Sequence, residues 1–478
     1  MAACSSDIPF DEPFRDDMGE ILATALNFRD TPGTYTFRLR LPSGAAAVID
    51  GSCPWVRVAQ TGEDGLSSIT VEVDANTAQE PRQATLLISH GLRIHPVSIR
   101  QEAQSRNHTR RTVLVYMAAE NSLSGYADKD IAEMMQAGGQ IPSDCNLLIY
   151  KDDAGIPVLS LLEPQPDGRG VLRTLRTFPE ERDSATGETL EEMLSFTRDN
   201  FPSDGYGLVM WSHGEGWMPG TTRWCGVDNN SDGLSNSGSF LGISRMASAI
   251  GSSVGSLDFL MFDACMMGTL EVAWAMRDVT GVMIASPCEI PGPGAPYHRI
   301  MHSLFSPDMR DCGVAGEYVS YYRDKYAQQT SGVRYGALMA TLDPSAAADV
   351  AGAFEPVISR HFRKGSAYCP GNPLRYATGS LERGLERDNV YLDADQIIRG
   401  CADSEEYAAW HAAFSRMRIG FEGTSWWYSA VNGMNRVDPD SIGGVACTFL
   451  FGEDSGKLAG YLRSSGWFDA AGWGKSGW

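Results

Sequence analysis

Two reactive side chains stand at the ends of apolar runs. "YGLVMWSHG" (206–214) delivers His213, and "LDFLMFDAC" (257–265) delivers Cys265. In open α/β sheets, ligands and reacting groups gather outside the carboxyl ends of the strands. The 52 residues from His213 to Cys265 accommodate a loop, a crossover helix and a return strand, which predicts adjacent strand ends for the pair. An imidazole beside a thiol is a general base beside a nucleophile, the pairing that attacks a carbonyl carbon. A cysteine in an apolar run is by itself usually core packing. The joint pattern, each residue closing a strand and followed by glycine or a helical pattern, points instead to chemistry. After Cys265, "MMGTLEVAWAMRD" spaces Met266, Leu270, Ala273 and Trp274 as on a helix. A helix beginning at the thiol would favour the thiolate through its dipole. The backbone N–H groups of Cys265 and Gly214 are the expected oxyanion donors. Asp263 is either the N-cap of that helix or a carboxylate kept for something else.

These side chains need a frame. From about 35 to 101 the chain alternates apolar and polar residues in short runs, "TYTFRLRL", "WVRVAQ", "SSITVEVDA", "RQATLLISHG" and "HPVSIRQEA", a pattern that predicts a small antiparallel sandwich. His90 and His95 within it are expected to be ordinary surface or satisfied residues. "QSRNHTRR" (104–111) is a polar linker. Beyond it, nearly continuous apolar runs ("TVLVYMAAEN", "CNLLIYKDD", "YGLVMWSHG", "LDFLMFDAC", "GVMIASPCE") alternate with helical patterns. Such strands are buried on both faces, so a mostly parallel α/β sheet flanked by helices follows. "YGALMATLDP" and "GGVACTFLFG" are expected to add strands. The predicted domains are an N-terminal tether over 1–19, a β-sandwich over 20–103, the linker, and an α/β domain with a C-terminal extension over 112–478.

Composition bounds the partners. A formal charge of −21 without any Lys/Arg-rich block excludes a nucleic-acid-binding surface. No run of 18 apolar residues is present, so the membrane is reached only through an anchor. "MAACSS" resembles the end of a bacterial lipoprotein signal with Cys4 as the lipidated residue, which implies an extracytoplasmic location, anchored in the envelope or secreted. Ten cysteines with irregular spacing and no CxxC pair argue against zinc ribbons and a disulfide framework.

The apolar strand ending in His-Gly, followed by a second ending in Asp-Ala-Cys, resembles the caspase-like cysteine peptidases. The stretches "VYMAAENSLSGYADKDIAEM", "LVMWSHGEGW", "FDACMMGTLEVAWAMRD" and "ASPCEIPGPGAPY" resemble the clostripain family over roughly 112–300. The resemblance implies a caspase-like fold and endopeptidase activity on proteins or peptides, with Cys265 as nucleophile, His213 as its partner and Gly214 in the oxyanion hole. It further implies cleavage after Arg or Lys, with Asp263 as specificity acid, because a buried guanidinium requires a counter-charge. Where better-known relatives carry a more acidic run, this chain reads "ASPCEIPGPG", and Glu289 is the residue expected to compensate in charge. Activation by a cut between histidine and cysteine is a family habit; Arg223, in a turn-rich stretch, is the expected site, and Arg245, on a helical pattern, the poorer one. "PWVRV", the strand "RQATLLI" and "VSIRQ" resemble the BACON domain, whose name implies glycan binding, although a spacer is the simpler role.

Two motifs are set aside. "DNNSDG" matches the start of a calcium loop (Asp228, Asn230, Asp232, Gly233), but its twelfth position is Ser239 instead of Glu. A plain turn-rich loop is the simpler reading, no metal ligand is assigned, no cofactor is required, and calcium stays an option because part of the family depends on it. "GSSVG" (251–255) fits G-x-S-x-G, yet helix precedes and strand follows it, the reverse of a nucleophile elbow. The rival readings are a protease with a neutral preference before the cut, and an inactive surface protein that binds glycan.

Overall fold

The computed structural model describes residues 14, 22–39, 46–63, 66–78, 80–90, 92–103, 109–153, 155–178, 180–217, 225–229, 239–366, 371–377, 380–382, 385–386, 389–430, 432–452 and 455–478. Cys4, Arg223, Asn230, Asp232 and Gly233 lie outside them. The chain divides into two compact units, one of 1–107 with 135–144 and 163–171, the other of the remaining residues.

The first unit is built on seven strands: β1 (Ala25–Phe28), β2 (Gly33–Leu39), β3 (Ala46–Ile49), β4 (Val56–Glu63), β5 (Leu66–Val73), β6 (Arg82–His90) and β7 (Arg93–Gln101). They form a four-stranded sheet, β1-β7-β6-β3, and a three-stranded sheet, β2-β5-β4. Alternation along the strands sends Phe37, Leu39, Ile69, Val71, Leu86, Ile88, Val97 and Ile99 into one core. The expected purely antiparallel pairing holds except at one edge, where β1 runs parallel to β7. His95 is satisfied, with Nε2 3.0 Å from the Ala23 carbonyl.

The second unit is organised by one sheet. Its strands β8 (Thr109–Ala118), β9 (Cys145–Asp152), β10 (Val158–Pro164), β11 (Gly170–Thr177), β12 (Ser203–Trp211), β15 (Leu257–Asp263), β16 (Thr280–Ala285), β17 (Leu338–Leu342) and β18 (Arg418–Gly423) lie in the order β11-β10-β9-β8-β12-β15-β16-β17-β18. Strands β13 (Val227–Asp228) and β14 (Ser239–Phe240) form a separate two-residue ladder. The five strands β9, β8, β12, β15 and β16 are mutually parallel, and β10 and β17 join them antiparallel. The middle strands are buried along nearly their whole length, as parallel strands covered on both faces must be. On one face Leu114, Tyr116, Leu208, Met210, Leu260 and Phe262 pack in a core with Leu190, Met193 and Leu194 of α2 (Gly187–Asn200) and Met246 and Ile250 of α3 (Ile243–Ser253). Helix α1 (Ser124–Gln136) follows β8. "GGVACTFLFG" contributes only a two-residue strand, Ala446–Cys447, paired with Leu392–Asp393. Among the described residues no helix is long and apolar enough to cross a membrane, and the eight described cysteines are all free thiols.

Candidate active site

Because the five central strands are parallel, their carboxyl ends share one edge. Strand β12 pairs with β15 in the register Trp211↔Asp263. His213 and Cys265 each lie two residues beyond that pair, so the imidazole and the thiol leave neighbouring strands at the same level. Gly214 closes the approach: a Cβ on it would lie 2.5 Å from the Cys265 carbonyl oxygen, a distance only glycine permits. Gly214 also bridges to Cys225, and there the hydrogen bond runs from the Gly226 N–H to the His213 carbonyl (3.1 Å), leaving the Gly214 amide out of it.

The helix after the thiol is displaced from its expected start. It is α4 (Leu270–Met276), and its N-cap is Thr269, whose Oγ1 accepts from the Val272 N–H at 3.1 Å. The expectations that Cys265 opens a helix and that Asp263 caps it are therefore both corrected. A turn intervenes in which Met266 adopts a left-handed backbone (φ 60°), a conformation that costs an ordinary residue about 1 kcal/mol. The turn is held from outside: the Met266 N–H donates to the Cys288 carbonyl (3.0 Å) and the Gly268 N–H to the Ser286 carbonyl (2.7 Å). The stretch after β16 thus braces the turn that follows Cys265, and the Ile290 N–H points at Cys265 Sγ (3.4 Å).

Without a helix dipole the thiol is not activated at rest. Burial, followed by the charge of Glu289, pushes Cys265 up to about 12. Burial also pushes His213 down to about 4. At neutral pH both groups are uncharged, so an attack on carbonyl carbon requires the proton to move during the reaction. The imidazole is oriented by Ser122, whose Oγ lies 2.8 Å from His213 Nε2. Ser122 escapes sequence reasoning because it belongs to a loop without periodicity; its one signal is its place just after β8.

Beside the pair opens a cavity of about 340 Å³ lined by His213, Cys265, Asp263, Glu289, Gly294 and Tyr428, among others. Asp263 is 3% exposed, and its Oδ2 accepts from the Ala295 N–H (3.1 Å) and the Tyr297 hydroxyl (2.9 Å). Its Oδ1 is buried without a hydrogen-bond partner among the described residues. A second carboxyl stands behind it, which the sequence does not single out: Asp130, on α1, 2% exposed, with its Oδ2 accepting from Trp211 Nε1 at 2.7 Å. A Cβ on Gly294 (φ 66°) would lie 3.0 Å from Asp263 Oδ2 and 3.2 Å from Asp130 Oδ2. Burial above all holds both carboxyls high, Asp263 at about 6 and Asp130 at about 9, with the Asp263 charge adding to the effect on Asp130. Two carboxyls this close titrate as a pair, and burial of both favours holding a proton between them above the usual carboxylate range. Glu289 lines the cavity too, but its oxygens are engaged by Ser429 Oγ (2.9 Å) and the Ala430 N–H (2.6 Å). Arg245 lies on α3, in agreement with its helical pattern.

A thiol and an imidazole on adjacent parallel strands, beside an acid-floored cavity, are the equipment of a cysteine-type hydrolase. The clostripain-family model matches residues 115–397, more than half of the chain, and the chain belongs to that family of cysteine peptidases. Clostripain of Hathewaya histolytica is 24% identical over 246 residues, which are 43% of this chain and 44% of that protein, so the chain spans less than half the length of this relative. A secreted C11 cysteine protease from Bacteroides thetaiotaomicron, solved with an irreversible peptide inhibitor, has a TM-score of 0.64 at 26% identity, covering 76% of this chain and 99% of that one. An inactive zymogen C11 protease from Parabacteroides distasonis gives 0.62 at 25% identity, covering 77% and 99%.

Proposed function

We propose that the chain is a cysteine endopeptidase that cuts proteins or peptides after Arg or Lys. The observation that carries this reading is the shared register of His213 and Cys265 above a cavity whose floor is Asp263. As Cys265 Sγ bonds to the scissile carbonyl carbon, its proton passes to His213 and the carbonyl oxygen becomes an oxyanion, taken by the backbone N–H groups of Gly214 and Cys265. Collapse breaks the C–N bond, His213 returns the proton to the leaving amine, and a thioester remains. Water deprotonated by His213 then releases the acid and regenerates the thiol. No cofactor enters these steps. The cationic side chain before the cut meets Asp263, whose Oδ1 has no other partner among the described residues.

Activation by a cut after Arg223 belongs to the same reading, as do an envelope-anchored or secreted location and a spacer role for the sandwich, with glycans as its alternative ligand. The test is hydrolysis of fluorogenic peptides with Arg, Lys or Leu before the cut. Wild type is expected to turn over the first two and Cys265→Ala none, and the wild-type chain to mature into two fragments while Cys265→Ala stays whole. Absence of turnover on all three peptides by wild type defeats the proposal and favours the inactive glycan binder. The engagement of Glu289 by Ser429 and Ala430 favours one second reading, a neutral preference. That reading wins if Leu peptides are cut and Asp263→Ala changes little.

A further inference from the structure

An imidazole that takes a proton from a thiol must present one bare ring nitrogen to it, and something has to keep the ring's own proton on the other. In His213 that other nitrogen is already engaged: Nε2 lies 2.8 Å from Ser122 Oγ. The ring makes no second hydrogen bond among the described residues, and His213 lines the cavity together with Cys265. Nδ1 is therefore the nitrogen left to the thiol. No carboxylate acts as the orienting group. Burial alone lowers His213, and no negative charge among the described residues offsets it.

Ser122 reaches the ring across 91 residues of sequence because its loop is fixed from beneath. Asn121, fully buried, donates through Nδ2 to the Ala118 carbonyl (2.8 Å) and to Ser212 Oγ (3.3 Å), while its Oδ1 accepts from the Leu123 N–H (2.9 Å). Ser212 Oγ donates to the same Ala118 carbonyl at 2.7 Å. One side chain thereby ties together the last residue of β8, the residue after Ser122 and the residue before His213. The backbone closes the same turn, from the Asn121 N–H to the Ala119 carbonyl (2.7 Å) and from the Ser124 N–H to the Asn121 carbonyl (3.1 Å). On the histidine's side, the Gly226 N–H holds the His213 carbonyl (3.1 Å). Serine and imidazole are thus each anchored before they meet, so little freedom is lost in making their bond.

We propose that Ser122 is a positioning residue, a third member beside Cys265 and His213, which holds the imidazole as the tautomer with its proton on Nε2 and its lone pair on Nδ1. This role rests on the peptidase reading of the site, whereas the tautomer stands on the ring's own contacts. The hydroxyl oxygen accepts from Nε2–H and brings no charge of its own. A carboxylate in its place would draw the ring toward imidazolium; the hydroxyl fixes the ring and leaves it neutral, as the resting pair is. In the reaction the Sγ–H bond breaks, its proton forms an N–H bond at Nδ1, and the electron pair left on sulfur forms the S–C bond. The ring is then a cation whose Nε2–H still donates to Ser122, and Nδ1 passes the proton to the leaving amine. The Ile290 N–H, 3.4 Å from Sγ, faces the sulfur on which negative charge develops.

The test has a kinetic arm and a spectroscopic one, both on the full chain. On a fluorogenic Arg peptide, Ser122→Ala is expected to lower kcat about thirtyfold with KM nearly unchanged, the size set by losing one hydrogen bond to a group that becomes charged. Ser122→Thr keeps the hydroxyl and should recover kcat to within about threefold of wild type. Ser122 is at the surface, so both variants should melt with the parent. Independently of turnover, magnetic resonance of Cys265→Ala protein with isotopically labelled histidine nitrogens should show the His213 ring protonated on Nε2 at neutral pH, the signal being assigned by its loss in His213→Ala. Adding Ser122→Ala should replace that single tautomer by an exchanging mixture. The proposal fails if Ser122→Ala costs less than about threefold in kcat, if its loss falls on KM, if Ser122→Thr restores nothing, or if the ring carries its proton on Nδ1. Should wild type turn over no peptide, the peptidase reading falls and the ring spectrum alone decides the tautomer.

Discussion

Two groups of buried carboxyls lie near His213, and they differ in what they leave open. Asp263 and Asp130 sit at the floor of a cavity, with Gly294 withholding a side chain in front of them. Glu120, Asp152 and Asp228 are sealed, and only Glu181 reaches the surface. An open acidic floor suits a long cationic side chain that enters and leaves with substrate, whereas a sealed cluster of carboxyls offers a substrate side chain no way in. The lesson is that burial alone does not assign a carboxylate. What distinguishes the two sites is the volume before them and the number of donors already spent on each oxygen.

That distinction breaks most visibly on Asp263. Asp263→Asn is expected to lower kcat/KM for Arg peptides about a thousandfold, since stranding a buried charge costs about 4 kcal/mol, and to leave Leu peptides nearly unchanged. Equal losses on both peptides would remove the pocket role. Gly294→Ala comes next. It places a methyl about 3 Å from both carboxyls on a left-handed backbone, and competition assays should show Arg peptides falling about thirtyfold while peptides with a small residue before the cut are spared. Smallest is the effect of pH. Asp263, held at about 6, becomes anionic as pH rises, so kcat/KM for Arg peptides should climb through a limb near pH 6 that Leu peptides lack. His213, held at about 4, contributes no limb in that range.

Much of this was legible in the chain. Continuous apolar runs ending in His213 and Cys265 predict parallel strands with reactive ends, and the register Trp211↔Asp263 agrees with that prediction. The start of α4 was not legible. "MMGTLEVAWAM" carries helical spacing from Met266 onward, but the Thr269 cap and the backbone bonds of 266 and 268 to 286–288 delay the helix by several residues. Local periodicity has no access to such long-range bonds. Asp130 and Ser122 were invisible for the same reason, since each acquires meaning only from a partner about 80 to 90 residues away.

By itself the sequence determined the alternation of strands and helices and the placing of a thiol and an imidazole just beyond strand ends, because burial patterns and strand-end residues are local properties. Only the tertiary structure decided which carboxylates stand together, which oxygens are saturated, and that the thiol rests in its neutral form. Those depend on desolvation and on contacts between segments far apart in the chain, quantities that no window of residues contains.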